Sequence, residues 1–152
     1  MLCFSGRGLR HHLNSSIIPF LCAFALTPSS VLARDQGYYP VQELIVTGKT
    51  VVGEDIRYPT TGSPKITVAI VTVAPGAPAA FHRHPVPLVA YILEGELTVD
   101  YGAKGVKVFR AGDALVEAMD VPHRGTNETN SIVKLLAVYI GAEGSANVAL
   151  EK

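Results

Sequence analysis

Residues 76–95 read GAPAAFHRHPVPLVAYILEG, and the histidine pair is the most informative feature of this stretch. His82 and His84 stand at i and i+2, so on an extended strand their side chains point to the same face, about 7 Å apart along the chain. Two neutral imidazoles on one face can bind the same metal ion, with metal–nitrogen bonds of about 2.0–2.1 Å for zinc. An ordinary surface turn ahead of Pro85 is the competing interpretation of such a pair.

A second stretch, residues 112–127, reads GDALVEAMDVPHRGTN and contains the third candidate ligand, His123. Downstream of residue 33, histidine occurs only in these two stretches, and a glycine-led turn opens each of them. Only a closed barrel or a sandwich can bring His123 beside His82 and His84. A metal site built from all three histidines therefore requires an all-β fold.

Short apolar runs separated by turn residues predict the strands of that fold. The runs cover residues 44–46, 65–73, 88–93, 97–101, 106–109, 114–116 and 132–140. Val, Ile, Thr and Tyr dominate the runs and Gly, Pro, Asp and Asn separate them, which favours an antiparallel sandwich or barrel. We expect an N-terminal arm with the first strands over 34–64, the barrel over 65–140 and a loose tail over 141–152, because the tail shows no periodic apolar face.

Residues 1–33 have the organisation of a secretory signal peptide. Arg7 and Arg10 supply the positive start, residues 17–26 form the apolar core, and the small residue Ala33 ends the segment. A membrane anchor is the alternative, but a membrane span needs about 20 apolar residues and this core has about half that length. We therefore expect cleavage after Ala33 and a periplasmic or extracellular protein that is free of the membrane.

Composition narrows the functions open to the exported chain. The sequence has 13 Lys and Arg against 13 Asp and Glu, and this balance excludes a strongly basic nucleic-acid binder. Both cysteines, Cys3 and Cys22, lie in the leader, so the exported chain has neither a disulfide nor a thiol nucleophile. Hydrophobic residues make up 48% of the chain and charged residues 17%, which excludes wholesale disorder.

The two histidine stretches resemble the two sequence motifs of the cupins. The first cupin motif reads glycine, five residues, H-x-H, three or four residues, glutamate, six residues, glycine, and the spacing here fits it without a gap. The matching residues are Gly76, His82, His84 and Gly95 in the first motif, and Gly112, His123 and Asn127 in the second. The resemblance covers about residues 65–140. It implies a double-stranded β-helix, a small jelly-roll barrel, in which the three histidines bind a divalent transition metal.

The sequence departs from the cupin pattern at two points. Leu88 stands where the family has its glutamate ligand, which implies a three-histidine site with one apolar side. Residues 118–120 read Ala-Met-Asp where the second cupin motif has a P-x-G turn, and we expect the turn to survive because Asp120 tolerates a left-handed backbone. Glu117 is the best candidate to supply the missing carboxylate and is our candidate catalytic residue. Strand alternation can turn Glu117 inward, and a solvent-facing side chain is the alternative.

Two functions of different classes follow from the resemblance. The first is a metal-dependent enzyme of the oxygenase, isomerase or lyase type that acts on a small organic molecule, with the metal as Lewis acid or redox centre. The second is a non-catalytic protein of the cell envelope that binds a metal or a small ligand, because a shared fold does not determine function. The open coordination sphere favours the enzyme.

The metal and the oligomeric state are two further expectations. Nitrogen ligands bind copper and zinc more tightly than iron(II) or manganese. A twin-arginine export signal requires two adjacent arginines, and Arg7 and Arg10 are not adjacent. We therefore expect the chain to cross unfolded and to load zinc or copper afterwards, with iron, manganese or nickel as the alternatives. Cupins often form dimers, so the resemblance also implies a homodimer, with the apolar segments 44–46 and 51–52 as its candidate edges.

Overall fold

The structure is a computed structural model, and it describes residues 39–152. The predicted signal peptide over residues 1–33 and its cleavage site lie outside the described residues. Within the described part of the chain, no helix has the length and apolar character needed to cross a bilayer.

Nine β-strands supply almost all of the regular structure of residues 39–152. They are β1 (Pro64–Val73), β2 (His82–Arg83), β3 (Leu88–Glu94), β4 (Glu96–Asp100), β5 (Val106–Arg110), β6 (Ala114–Val116), β7 (Arg124–Thr126), β8 (Val133–Ala142) and β9 (Ala149–Leu150). A single 3-10 turn over Gly102–Lys104 follows β4. The prediction of an all-β domain is confirmed.

The strands pair antiparallel in three sheets. The largest sheet has the order β1-β8-β3-β6, the second has the order β5-β4-β7, and β2 pairs with β9. Inward side chains of the two larger sheets pack into one apolar core. This core contains Ala90, Ile92, Leu97, Val99, Tyr101, Leu115, Ala118, Val133 and Leu135. The architecture is the double-stranded β-helix that the sequence predicts.

The turn between β3 and β4 carries the chain from the first sheet to the second and requires glycine. Gly95 has a φ of +79°, in the left-handed region that residues with a side chain rarely adopt. A Cβ atom added at this position would lie 2.7 Å from the carbonyl oxygen of Ile132, closer than such contacts allow. The glycine of the first motif is therefore needed for both backbone conformation and space.

Asn127, the last residue of the second motif, has a structural role. Its buried side chain donates hydrogen bonds from Nδ2 to the carbonyl oxygens of Val73 (2.9 Å) and Ser131 (2.6 Å). Its Oδ1 accepts a hydrogen bond from the backbone N–H of Thr129 at 3.0 Å. Asn127 therefore ties the end of β1 to the turn that precedes β8.

Segments 44–46 and 51–52, which are predicted to be strands within residues 34–64, do not form strands. The only pairing in this part of the described chain is an isolated bridge between Lys49 and Asp55. Residues 50–53 form a turn instead, in which the N–H of Gly53 donates to the carbonyl oxygen of Thr50 at 2.9 Å. These segments are therefore not the sheet edges proposed for a dimer.

The loose tail predicted for residues 141–152 is also corrected. Strand β8 continues to Ala142, and β9 pairs with the strand that contains the first histidine of the pair. The backbone N–H of Glu151 donates to the carbonyl oxygen of Phe81 at 2.9 Å, and the side chain of Glu151 forms an ion pair with Arg83. The C-terminal segment is therefore part of the framework around the histidines.

Candidate metal centre

A reciprocal backbone bridge joins the two histidine stretches. The N–H of His82 donates to the carbonyl oxygen of His123 at 2.9 Å, and the N–H of His123 donates back to His82 at 3.0 Å. The N–H of His84 donates to the carbonyl oxygen of Met119 at 3.2 Å. Closure of the barrel therefore places His123 beside the pair, as the sequence argument required.

The three imidazole rings converge on one point. Ring centroids are 5.0 Å apart for His82 and His84, 4.7 Å for His82 and His123, and 5.1 Å for His84 and His123. One nitrogen from each ring lies within 4.8 Å of the other two. The three histidines could therefore hold one metal ion.

Hydrogen bonds at Nδ1 orient all three rings in the same way. Nδ1 of His82 lies 3.0 Å from the carbonyl oxygen of Ala80. Nδ1 of His84 lies 2.8 Å from that of Asn147, and Nδ1 of His123 lies 2.9 Å from that of Val121. A carbonyl oxygen only accepts, so each Nδ1 carries the proton and each Nε2 keeps a free lone pair. Metal-binding histidines usually show this arrangement, because the outer hydrogen bond sets the tautomer and the ring orientation.

The burial of the rings is consistent with a metal site. His123 is 1% exposed, and its Nε2 has no hydrogen-bond partner among the described residues. An unpaired buried acceptor costs about 1–3 kcal/mol, and a bound metal ion would satisfy it. Burial is the main cause that lowers the pKa of His84 to about 4, so this ring is neutral at pH 7. The donor set therefore fits a divalent transition metal.

Glu117, whose direction the sequence leaves open, points inward. It is 6% exposed, and its Oε1 accepts hydrogen bonds from the hydroxyl of Tyr101 and from the N–H of Ala118, both at 2.7 Å. The same oxygen lies 3.9 Å from Nε2 of His123. Burial and the Glu117 charge raise the pKa of Tyr101, so its hydroxyl stays a hydrogen-bond donor. A fixed carboxylate therefore stands beside the three histidines.

The histidines and Glu117 border a cavity of about 280 Å³ inside the barrel. Its other walls are mainly apolar side chains of the two larger sheets. They include Val71, Val73, Leu97, Val99, Leu135 and Ala137. Leu88 lines the same cavity, so the position of the missing glutamate does face the site. Tyr139 is the remaining polar side chain of the wall, with its ring centroid 5.7 Å from that of His84.

Restoring the missing ligand with Leu88→Glu is expected to tighten Mn²⁺ binding about tenfold, which corresponds to about 1.4 kcal/mol. The new carboxylate would enter the cavity next to the histidines, and carboxylate oxygen suits the harder divalent ions. Titration calorimetry of the two proteins measures the change. Leu88→Gln is the control, because it has the same length without the charge. Equal Mn²⁺ affinity of Leu88→Glu and the wild type would mean that position 88 does not reach the ion.

Glu54 is a residue of the site region that the sequence reasoning missed. Its carboxylate accepts three consecutive backbone N–H groups, from Met119 at 2.8 Å and from Asp120 and Val121 at 2.9 Å each. The hydroxyl of Thr50 donates to the same carboxylate at 3.1 Å. These N–H groups belong to the bend that replaces the P-x-G turn and leads into His123. A carboxylate of the N-terminal arm therefore holds this bend in place.

Comparison with solved structures finds related shapes. A protein with a double-stranded β-helix domain from Klebsiella pneumoniae is 21% identical, with a TM-score of 0.49 over 64% of this chain and 90% of the other. The DMSP lyase of Ruegeria pomeroyi is 21% identical, with a TM-score of 0.48 over 56% of this chain and 42% of the enzyme. The oxalate decarboxylase of Lactobacillus farciminis is 24% identical, with a TM-score of 0.47 over 56% and 26%. The chain thus spans less than half of either enzyme.

Comparison with protein families gives a more direct result. No curated protein matches the sequence. The family model described as a cupin domain matches residues 69–139, from the middle of β1 to β8, and this range includes all three histidines and Glu117. Residues 69–139 of this chain are therefore a cupin domain.

Proposed function

We propose that this protein is a metal-dependent cupin enzyme that acts on a small organic molecule. The observation that supports the proposal best is the convergence of three histidines, each with its Nδ1 on a carbonyl oxygen, at the wall of one cavity. Nε2 atoms of His82, His84 and His123 would hold the metal, and a divalent ion there would supply a Lewis acid that polarises an oxygen atom of the substrate.

Glu117 is the proposed general base of the reaction. Tyr101 and the backbone of Ala118 hold its Oε1, while its Oε2 has no hydrogen-bond partner among the described residues. Oε2 is therefore available to accept a proton from a substrate bound in the cavity. Glu117 is 6% exposed, and this burial strengthens the electrostatic interaction of its carboxylate with the substrate.

A non-catalytic binding protein is the second candidate function. The cavity favours it in one respect, because the three histidines, Glu117 and Tyr139 are the only polar side chains among the described residues of its wall. An enzyme of this design must work with a single acid–base group. A binding protein needs no acid–base group at all.

Turnover separates the two candidates. Protein loaded with zinc, copper or iron(II) is incubated with a large excess of a metabolite extract, and compound loss is followed by mass spectrometry. We expect at least one compound to be converted in an amount many times that of the protein, and Glu117→Gln to stop the conversion while it retains the metal. Loss limited to one molecule per protein, equal in the wild type and Glu117→Gln, would contradict the enzyme and support the binding protein.

The metal carried in the native compartment is expected to be zinc or copper. We propose that the chain is exported unfolded and loads its metal outside the cytoplasm, where affinity decides among the available ions. Imidazole ligands rank copper and zinc above iron(II) and manganese. Mass spectrometry of protein isolated from its native source, without added metals or chelators, measures the ion. Dominant iron or manganese would contradict the prediction and would suggest an oxygen ligand such as Glu117.

The homodimer stays a prediction, but its surface changes. Segments 44–46 and 51–52 form no strand, whereas β1 is an edge strand of the largest sheet. Ile66, Val68 and Ile70 of β1 are exposed, and they form an apolar row that a second copy of the chain could cover.

A further inference from the structure

We infer that the cavity selects a small ligand with one anionic oxygen group and an otherwise apolar body of about ten non-hydrogen atoms. The inference rests on the proposed function, because the anionic group binds the metal ion held by the three histidines. Charge, hydrogen-bonding capacity and volume of the cavity each restrict the ligand independently.

The charges of the cavity accommodate one anionic group. None of the described residues that line it is Lys or Arg, and Glu117 is its only charged side chain. The three imidazoles are neutral ligands, so a divalent ion and Glu117 together carry one net positive charge. One ligand anion balances this charge, whereas a second anionic group would be buried without a cation, at a cost of several kcal/mol. Dicarboxylates and phosphate esters are therefore disfavoured.

The hydrogen-bonding groups of the cavity are too few for a polyol. Apart from the three histidines and Glu117, only Tyr139 contributes a polar side chain to the described lining. Each ligand hydroxyl left without a partner costs about 1–3 kcal/mol. The apolar walls formed by Val71, Leu97 and Leu135 instead stabilise hydrocarbon, by about 0.8 kcal/mol per buried CH₂. A sugar-like ligand would lose several hydrogen bonds here, and an alkyl or aryl body would lose none.

The cavity volume sets the size of the part of a ligand that the cavity can enclose. An apolar cavity of about 150 Å³ accommodates benzene, which has six non-hydrogen atoms. The cavity here measures about 280 Å³, so by proportion it accommodates about ten, with the remainder taken by the ion. Ligand size is therefore that of a medium-chain or small aromatic acid.

Octanoate and adipate test the inference, because each has ten non-hydrogen atoms while octanoate has one carboxylate and adipate has two. Titration calorimetry first measures zinc binding, which tests the proposed function separately. Each acid is then titrated into the zinc-loaded and the zinc-free protein. We expect octanoate to bind the zinc-loaded protein with 1:1 stoichiometry, at least about tenfold more tightly than adipate, and to lose most of its affinity without zinc.

A pair of variants on β1 tests the charge argument directly. Val73 lines the cavity, whereas the adjacent Thr72 points outward and is exposed. Val73→Lys should reduce the preference for octanoate over adipate at least fivefold, because the ammonium group offers the second carboxylate a partner. Thr72→Lys adds the same charge outside the cavity and should leave the preference unchanged. If the protein binds zinc but binds adipate as tightly as octanoate, binds octanoate equally well without zinc, or binds neither acid, the inference is wrong.

Discussion

The variant His82→Ala/His84→Ala is expected to lose at least about 100-fold in zinc affinity and to be purified without stoichiometric metal. Loss of an outer hydrogen-bond partner of a metal ligand alone costs 10–100-fold in affinity. The double variant loses two of three converging Nε2 donors, so its loss should exceed that range. Competition against a chromophoric chelator measures the affinity, and elemental analysis measures the metal content.

Arg83→Ala is the matched control for this experiment. Arg83 stands between the two histidines, but its side chain pairs with Glu151 and is exposed. Its removal should leave zinc affinity within about twofold of the wild type, because exposed ion pairs contribute only about 0–1 kcal/mol to stability. The three-histidine site is refuted if the double variant and the wild type contain equal amounts of metal.

Glu54→Gln is expected to lower the free energy of unfolding by about 2–4 kcal/mol and zinc affinity by about 10–100-fold. The carboxylate accepts three N–H groups of the bend over residues 119–121, and hydrogen bonds to a charged group contribute about 1.5–3 kcal/mol each. A glutamine amide has only one acceptor oxygen, and its NH₂ group would face an N–H donor. The bend leads into His123, so loosening it would displace one of the three candidate ligands. Urea unfolding measures the change in the free energy of unfolding. Zinc titration, carried out well below the unfolding temperature, measures the change in zinc affinity.

Asp55→Asn provides the comparison for Glu54→Gln. Asp55 is the next residue along the chain, carries the same charge and forms only an exposed ion pair with Lys49. Its replacement should change the free energy of unfolding by less than about 1 kcal/mol and should not change zinc affinity. A Glu54→Gln protein with wild-type stability and wild-type zinc affinity would show that the carboxylate does not hold the bend.

Sequence alone was sufficient for the longer strands, and it singled out the three histidines that the fold brings together. The strands over 65–73 and 88–93 were predicted within about one residue, because apolar, β-branched runs bounded by turn residues are a local signal. The histidines were predicted because two motifs with the correct spacing occur in the correct order. The backbone bridge between His82 and His123 shows how closure of the barrel brings the two motifs together.

The tertiary structure alone decided the short strands and the direction of Glu117. Strands β2, β7 and β9 have only two or three residues, too few for a periodic pattern, and they exist because a partner strand lies beside them. Glu117 follows the last residue of β6, where alternation no longer determines which way a side chain points. The hydroxyl of Tyr101 stabilises the inward orientation of this carboxylate, and no local pattern predicts that hydrogen bond.

Glu54 marks the limit of what the sequence determined. The local sequence around Glu54 reads as an arm, and the bend that it contacts lacks both characteristic residues of the P-x-G turn. The hydrogen bond between the arm and this bend joins Glu54 to Met119, which lies 65 positions further along the chain. Composition, periodicity and motif spacing describe near neighbours, whereas the three consecutive N–H groups meet this carboxylate only after the barrel has closed. The sequence therefore determined which side chains can bind a metal, and the folded chain decided what keeps them in position.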